Sequence, residues 1–260
     1  YGWDKAAPHY ERGWRAQLEP AQTASLEMLG PTPGERILDV ACGTGLVSLR
    51  AARRVMPDGI VVGTDLSEKM VDQARAWPDA KLLTNVYFAR MDAENLDFAA
   101  GSFDAAICAL GLMYVPEPDK ALAEMHRVVR RGGRVACAVW GRRSKCGWAQ
   151  IFPIVDARVQ SEVCPLFFRL GAIDVLETAF RDAGFTDIKS TRIATMLDYA
   201  NADEACGAAF VGGPVALAYE RFSEATKGEA RSAYLESLAS YRQGDAYAIP
   251  GEFVVVCGTR

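Results

Sequence analysis

Residues 39–49 read DVACGTGLVSL: an acid, a turn holding two glycines, and an apolar helical run. Glycines in a strand–turn–helix let backbone N–H groups approach a ligand that a Cβ would exclude. Two kinds of ligand use such a turn. A dinucleotide pyrophosphate takes GxGxxG, whose third glycine sets tight helix packing. Here Ser48 stands in that third place, after Gly43 and Gly45. Asp39 would also press negative charge toward a polyanion, whereas it suits a ligand carrying positive charge. Cys42 shares the turn, but nothing cationic or basic neighbours it in sequence to lower its pKa, so it reads as a small turn residue. Asp65, 20 residues past Gly45, is placed to accept hydrogen bonds from ribose hydroxyls. Dinucleotide enzymes use the same device, so Asp65 alone does not discriminate.

Positioning such a turn takes a sheet, and the pattern from residue 36 to 140 supplies one. ERILDVA, IVVGTD, NVYFARMD, SFDAAICALG and RVACAVW read as strands. They are continuously apolar, as strands covered on both faces must be. Between them Ser67 N-caps EKMVDQARAW, with Met70, Val71, Ala74 and Trp77 on one face, and Asp119 opens a helix that the Arg131-Gly132-Gly133 stretch ends. Strand–helix repetition predicts a Rossmann-like, doubly wound α/β sheet whose ligand lies at the carboxyl ends of the strands. GFTDIKSTRIATMLDY and the terminal EFVVVCGTR read as an antiparallel pair, making seven strands, with helical insertions from residues 141–178 and 200–248 over the ligand edge.

The chain has 260 residues, 50% hydrophobic, with a net charge of −4, so no basic field invites nucleic acid or an anionic membrane. The clusters Arg130, Arg131, Arg134 and Arg142, Arg143, Lys145 read as solvated loop charges, with an anionic substrate patch the alternative. Seven cysteines without a CxxC pair, and only two histidines, argue against a structural metal and for reduced thiols of a cytoplasmic protein. No apolar run approaches a membrane span, and the first residues do not read as a signal peptide.

DVACGTG matches the acid-x-Gly-x-Gly-x-Gly motif of the class I S-adenosylmethionine-dependent methyltransferases, with Ala41 in the first glycine's place. Asp65, then MDAENLDF, then FDAAICALGLMYVPEPDKALAEMHRVVRRGGRV follow in the family's order. The last stretch resembles the ubiquinone/menaquinone C-methyltransferases and related small-molecule methyltransferases. The resemblance implies a core at residues 36–140, cofactor-covering helices at 1–35, and acceptor-side insertions with the last two strands at 141–260. It also implies S-adenosylmethionine as cofactor, S-adenosylhomocysteine as product, and a cofactor site of Tyr10, Asp39, Ala41, Gly43, Thr44, Gly45, Asp65, Leu66, Met70, Asp92, Ala93, Ala109 and Leu110. Asp92 falls by the adenine, and the backbone of Ala109 and Leu110 by the methionine part.

Sulfonium methyl transfer is an in-line displacement helped by alignment, and a base is needed only for a protonated acceptor. His9 and Tyr10, in WDKAAPHY, are the catalytic candidates; Tyr114, Trp140, Trp148, Phe152 and Phe168 are those for an apolar acceptor pocket, and His126 reads as scaffold. Leu110-Gly111-Leu112-Met113 replaces the Asn/Asp-Pro-Pro-aromatic element of base methyltransferases, pointing to a small molecule methylated at oxygen or carbon, less readily at nitrogen. The alternatives are a nicotinamide oxidoreductase on the same fold and a non-catalytic S-adenosylmethionine-binding subunit. A monomer or homodimer is expected.

Overall fold

The apolar runs do form strands, and every one of them joins a single sheet. A computed structural model describes residues 2–159 and 166–260. The strands are β1 (Arg36–Val40), β2 (Ile60–Asp65), β3 (Val86–Arg90), β4 (Phe103–Ala109), β5 (Val129–Trp140), β6 (Thr186–Tyr199), β7 (Arg242–Gln243) and β8 (Ala246–Thr259). Their order is β3-β2-β1-β4-β5-β8-β6, with β7 paired to β8. The first five are parallel, and β8 and β6 run antiparallel. Seven strands were expected and eight are present among the described residues: β7, only two residues long, folds back on the start of β8 through Gly244. Strand order reverses at β1, between β2 and β4, which is where an open sheet of this kind holds its ligand.

Alternate residues of these strands feed two separate cores. Ile37, Ala105, Ile107 and Ala136 pack on one face, with α2 (Leu46–Val55); Leu38, Val40, Ala106 and Cys137 pack on the other, with α5 (Pro118–Val128). Between these helices lie α3 (Glu68–Ala76) and α4 (Pro78–Leu82). Ser67 caps α3 as expected, accepting from the Met70 N–H at 3.3 Å. Further α-helices among the described residues are α6 (Ile151–Asp156), α7 (Val175–Asp182), α8 (Ala202–Cys206), α9 (Ala216–Glu220) and α10 (Glu224–Ser237).

The N-terminal segment is one helix, α1 (Gly2–Leu29), rather than several. Trp14, Leu18, Ala21, Ser25 and Leu29 recur at three- and four-residue spacing and are all buried. Its last carbonyls are met by Arg134, which donates to Leu29 O at 2.7 Å and Gly30 O at 3.1 Å while forking onto Glu35. A cation at this end complements the helix dipole.

Two sequence expectations fail here. The Arg131-Gly132-Gly133 stretch does not end α5, which stops at Val128 with an extended Val129 as its cap. The glycines instead serve a bulge inside β5: Gly132 has φ 73°, and a Cβ on Gly133 would lie 2.4 Å from Asp104 O. Nor are the arginines all solvated loop charges. Arg130 pairs with Asp104, Arg134 with Glu35, and Arg142 with Glu252, whose carboxyl Arg142 and then Arg192 hold down at about 2 despite partial burial. Cys108, Cys137, Cys146, Cys206 and Cys257 are buried free thiols; Cys164 lies outside the described residues. Among the described residues no helix is long and apolar enough to cross a membrane.

Candidate active site

The turn after β1 makes three left-handed steps in five residues: Ala41 (φ 53°), Gly43 (φ 54°) and Gly45 (φ 82°). The two glycines answer different needs. A Cβ on Gly43 would meet nothing within 4 Å, and this residue lines a cleft of about 930 Å³, so its backbone is bared to the cleft. A Cβ on Gly45 would strike the Phe88 ring at 2.8 Å, so that glycine lets α2 close on β3. Ala41 is less comfortable than its single methyl suggests, because a left-handed alanine is strained by about 1–2 kcal/mol. Its Cβ occupies the space beside Gly111, where a second Cβ would come within 2.4 Å.

Two carboxylates hold the turn. Asp39 is 1% exposed and accepts from Ser48 Oγ at 2.5 Å. Burial pushes its carboxyl up to about 7, against the Ser48 hydrogen bond and with help from the negative Asp65. It does not cap α2, whose N-cap is Gly45. Asp65, at the tip of β2, accepts from the Gly43 N–H and the Ser67 N–H, both at 2.9 Å. Burial raises its carboxyl, and these two N–H groups pull the other way. A carboxylate has about four lone-pair sites, so two remain for hydroxyls of a ligand. Cys42 is no nucleophile: burial, then Asp39 and Asp65, push its thiol well up.

α1 lies over this edge and is tied to it. Asp4 accepts from Ser67 Oγ at 2.5 Å, and Glu11 accepts from Thr44 Oγ1 in the glycine turn. Trp77, which closes α3, donates to Thr44 O at 2.8 Å. Trp3 and Tyr10 of α1 face the cleft, and burial, then the charges of Glu11 and Asp65, raise the Tyr10 phenol far above its ordinary value. Its proton is thus held at neutral pH, where the hydroxyl can donate a hydrogen bond. His9 is exposed on α1 and does not line the cleft. The helical pitch that turns Tyr10 inward carries His9 about 100° away.

The other expected cofactor residues gather at the same cleft. Leu66, Met70, Asp92, Ala93, Ala109 and Leu110 all line it, as do Ala41, Gly43 and Thr44, while Gly45 packs behind. Leu110 is left-handed at φ 70°, which turns the chain after β4 across the cleft. Sequence reasoning missed Trp3, Gln22, Met91 and Gly111. Gln22 carried a readable signal: it falls four residues after Leu18 on the buried stripe of α1, an odd place for an amide. The cleft wall holds three aspartates, 39, 65 and 92, and no lysine or arginine among the described residues. Such a wall repels a pyrophosphate and attracts a cation.

A second, much narrower aromatic-lined chamber adjoins the cleft and shares Trp3, Tyr10, Leu110 and Tyr114 with it. Of the expected acceptor residues, Tyr114, Trp140 and Trp148 line this chamber. Phe152 and Phe168 do not; they stack behind Trp148, with ring centroids 5.9 and 5.6 Å away, and close the core. His126 packs against Phe185 and lines neither space.

Comparison with known proteins adds sequence likeness to this geometry. A family model described as a methyltransferase domain matches residues 37–133. The demethylmenaquinone methyltransferase of a Geobacillus species is 29% identical over 209 residues, covering 72% of this chain and 87% of that protein. That of Symbiobacterium thermophilum is 34% identical over 178 residues, covering 60% and 70%. Among solved structures, phosphoethanolamine N-methyltransferase 2 of Haemonchus contortus, in complex with S-adenosyl-L-methionine, superposes with a TM-score of 0.62. At 19% identity, over 99% of this chain and 57% of its own, it shares the fold.

Proposed function

We propose, for a chain that belongs to the class I S-adenosylmethionine-dependent methyltransferases, that the methyl acceptor is a small, flat, apolar molecule seated in the aromatic chamber and methylated at oxygen or carbon. The observation that carries this reading is the joining of an acidic, lysine- and arginine-free cleft to an aromatic chamber through four shared side chains. Bound S-adenosylmethionine supplies a methyl carbon on a sulfonium that becomes neutral as the methyl leaves.

This chain's residues divide the remaining work. Asp65 takes the ribose hydroxyls with its spare lone pairs, Asp92 with Ala93 takes the adenine edge, and Asp39 with the glycine turn faces the cationic end. Residues 1–35 form the cover, 36–140 the cofactor core and 141–260 the acceptor side. Trp3, Tyr10 and Tyr114 stand between the two spaces and exclude water from the line of attack. Fixing that line is the chief catalytic contribution.

The chamber wall holds no carboxylate, histidine or lysine among the described residues. An acceptor that surrenders its proton to water, such as an acidic phenol or enol, suits such a wall. Its anion is nucleophilic at oxygen and at the ortho carbon of a phenolate or the α carbon of an enolate, which is why both sites are proposed and amine nitrogen is third.

Calorimetry with S-adenosylhomocysteine and with NADH tests the cleft: the first is expected to bind one to one and the second not at all. A labelled-methyl assay across phenols and enols then tests the chamber. Binding of NADH alone would overturn the reading, and cofactor binding without transfer to any acceptor would make the chain a sensor or partner subunit.

A further inference from the structure

Gln22 of α1 is only 8% exposed, yet its amide is bonded to nothing among the described residues. It lines the cleft, and neither of its amide atoms is sealed off from that space. A buried polar group without a partner is costly, so an amide kept bare at this place is one that a ligand completes. Its neighbours fix where it lies. Thr23, the next residue, accepts from Arg50 Nη2 at 2.7 Å, one turn into α2. α2 begins on the cleft wall with Leu46 and Val47, and its N-cap, Gly45, has no side chain to occupy their N–H groups. A helix start left open in this way carries partial positive charge. Gln22 borders the cleft but not the aromatic chamber.

S-adenosylmethionine ends in an amino acid, so the cleft has a carboxylate to receive as well as cationic groups. Three aspartates line it, and no lysine or arginine among the described residues does. Other donors of the wall are already spent: Gly43 N–H on Asp65, Thr44 Oγ1 on Glu11, Cys42 N–H on Thr64 O and Leu110 N–H on Ala138 O. We propose that Gln22 Nε2–H donates to the carboxylate of the cofactor's methionine part, with the open start of α2 on the same wall, and that this pairing selects a methyl donor whose carboxylate is intact. The inference rests on the cleft being the cofactor site. A neutral amide suits this wall better than a cation, which would pair with Asp39 or Asp65 and cancel the field that holds the ammonium and sulfonium. A site that hydrogen-bonds its ligand sharply rejects the analogue lacking that group.

The test is calorimetry on the full chain with S-adenosylhomocysteine and its decarboxylated analogue S-adenosyl-3-thiopropylamine, which keeps the amine and loses only the carboxylate. The wild-type protein is expected to bind S-adenosylhomocysteine tighter by about tenfold or more, as a hydrogen bond to a charged group allows. Gln22→Met keeps the length of the side chain and removes its amide. It should weaken S-adenosylhomocysteine by about tenfold and leave the analogue within about twofold. Equal weakening of both ligands would make Gln22 a shaper of the cleft only, and unchanged affinity for both would remove it from the site; either overturns the proposal, as does a wild-type protein indifferent to the carboxylate. Should the variant not fold, a crystal of the wild-type chain with S-adenosylhomocysteine decides. Nε2 is expected within about 2.7–3.2 Å of a carboxylate oxygen, and a carboxylate turned elsewhere overturns the proposal. Failure of S-adenosylhomocysteine to bind the wild-type chain at all would instead strike at the cofactor reading on which the proposal rests.

Discussion

Replacing Gly111 by alanine would set a methyl carbon 2.4 Å from the Cβ of Ala41, with Cys108 Sγ at 3.2 Å and Ala41 O at 3.4 Å. Carbon atoms pack best at about 3.5–4.0 Å, so the first contact overlaps by more than an ångström and the others are merely tight. Both carbons hang directly on backbone and have no rotamer by which to escape. Overpacking of this kind costs about 1–3 kcal/mol, and the upper part of that range is expected. Ala41→Gly removes the offending partner and relieves a left-handed alanine, a gain of about 1–2 kcal/mol, against about 0.4–1 kcal/mol for the added freedom of the unfolded chain. Ala41→Gly alone should therefore be neutral to mildly stabilising. The double variant should recover most of what Gly111→Ala loses, because the new methyl then occupies vacated space. Urea titration of the four proteins reads the coupling, and calorimetry with S-adenosylhomocysteine shows whether the turn survives, since both residues face the cleft. Additivity within about 0.5 kcal/mol would refute the claim that these two positions share one volume.

Asp65→Ala should weaken S-adenosylhomocysteine binding strongly and also lower stability by about 1.5–3 kcal/mol for each N–H it orphans, with Asp65→Asn intermediate; unchanged affinity by calorimetry removes the acid from the site. Asp39, protonated in the fold up to about 7 but only to about 3.9 when unfolded, should make the ligand-free protein lose stability as pH rises from about 4 to about 7 and level off above. A bound cation favours the carboxylate, so cofactor affinity should climb by at most about tenfold per pH unit up to about 7, with proton release; calorimetry at pH 6 in two buffers of unlike ionisation heat would contradict this if no proton appeared. Tyr10→Phe should leave the pH profile of turnover unmoved, because the raised phenol does not titrate in the working range; loss, in the variant, of a rise in turnover with pH would return Tyr10 to the role of base.

What was legible in the sequence follows from the physics of each element. The parallel core was readable because strands buried on both faces need apolar runs and the glycine turn needs its glycines. Gly132 and Gly133 misled because a left-handed residue suits a bulge as well as a helix end, and only the pairing of Phe103 with Val129 decides between them. β7 escaped because two residues carry no period. On the acceptor side, aromatic residues announce a core but not which rings face its hollow: Trp148 and Phe152 differ by one helical turn, yet one lines the chamber and the other backs it. His9 was separable in principle, since Trp3, Tyr10 and Trp14 already fix the inward stripe of α1.

Trp3, Tyr10, Leu110 and Tyr114 form a party wall between two rooms. Any attempt to widen the range of acceptors by trimming that wall would loosen the grip on the methyl donor as well. Leu18, Met113 and Trp140 border only the smaller room. Redesign of substrate scope belongs at those three positions, where the size of the guest can change while the donor's lodging stays as it is.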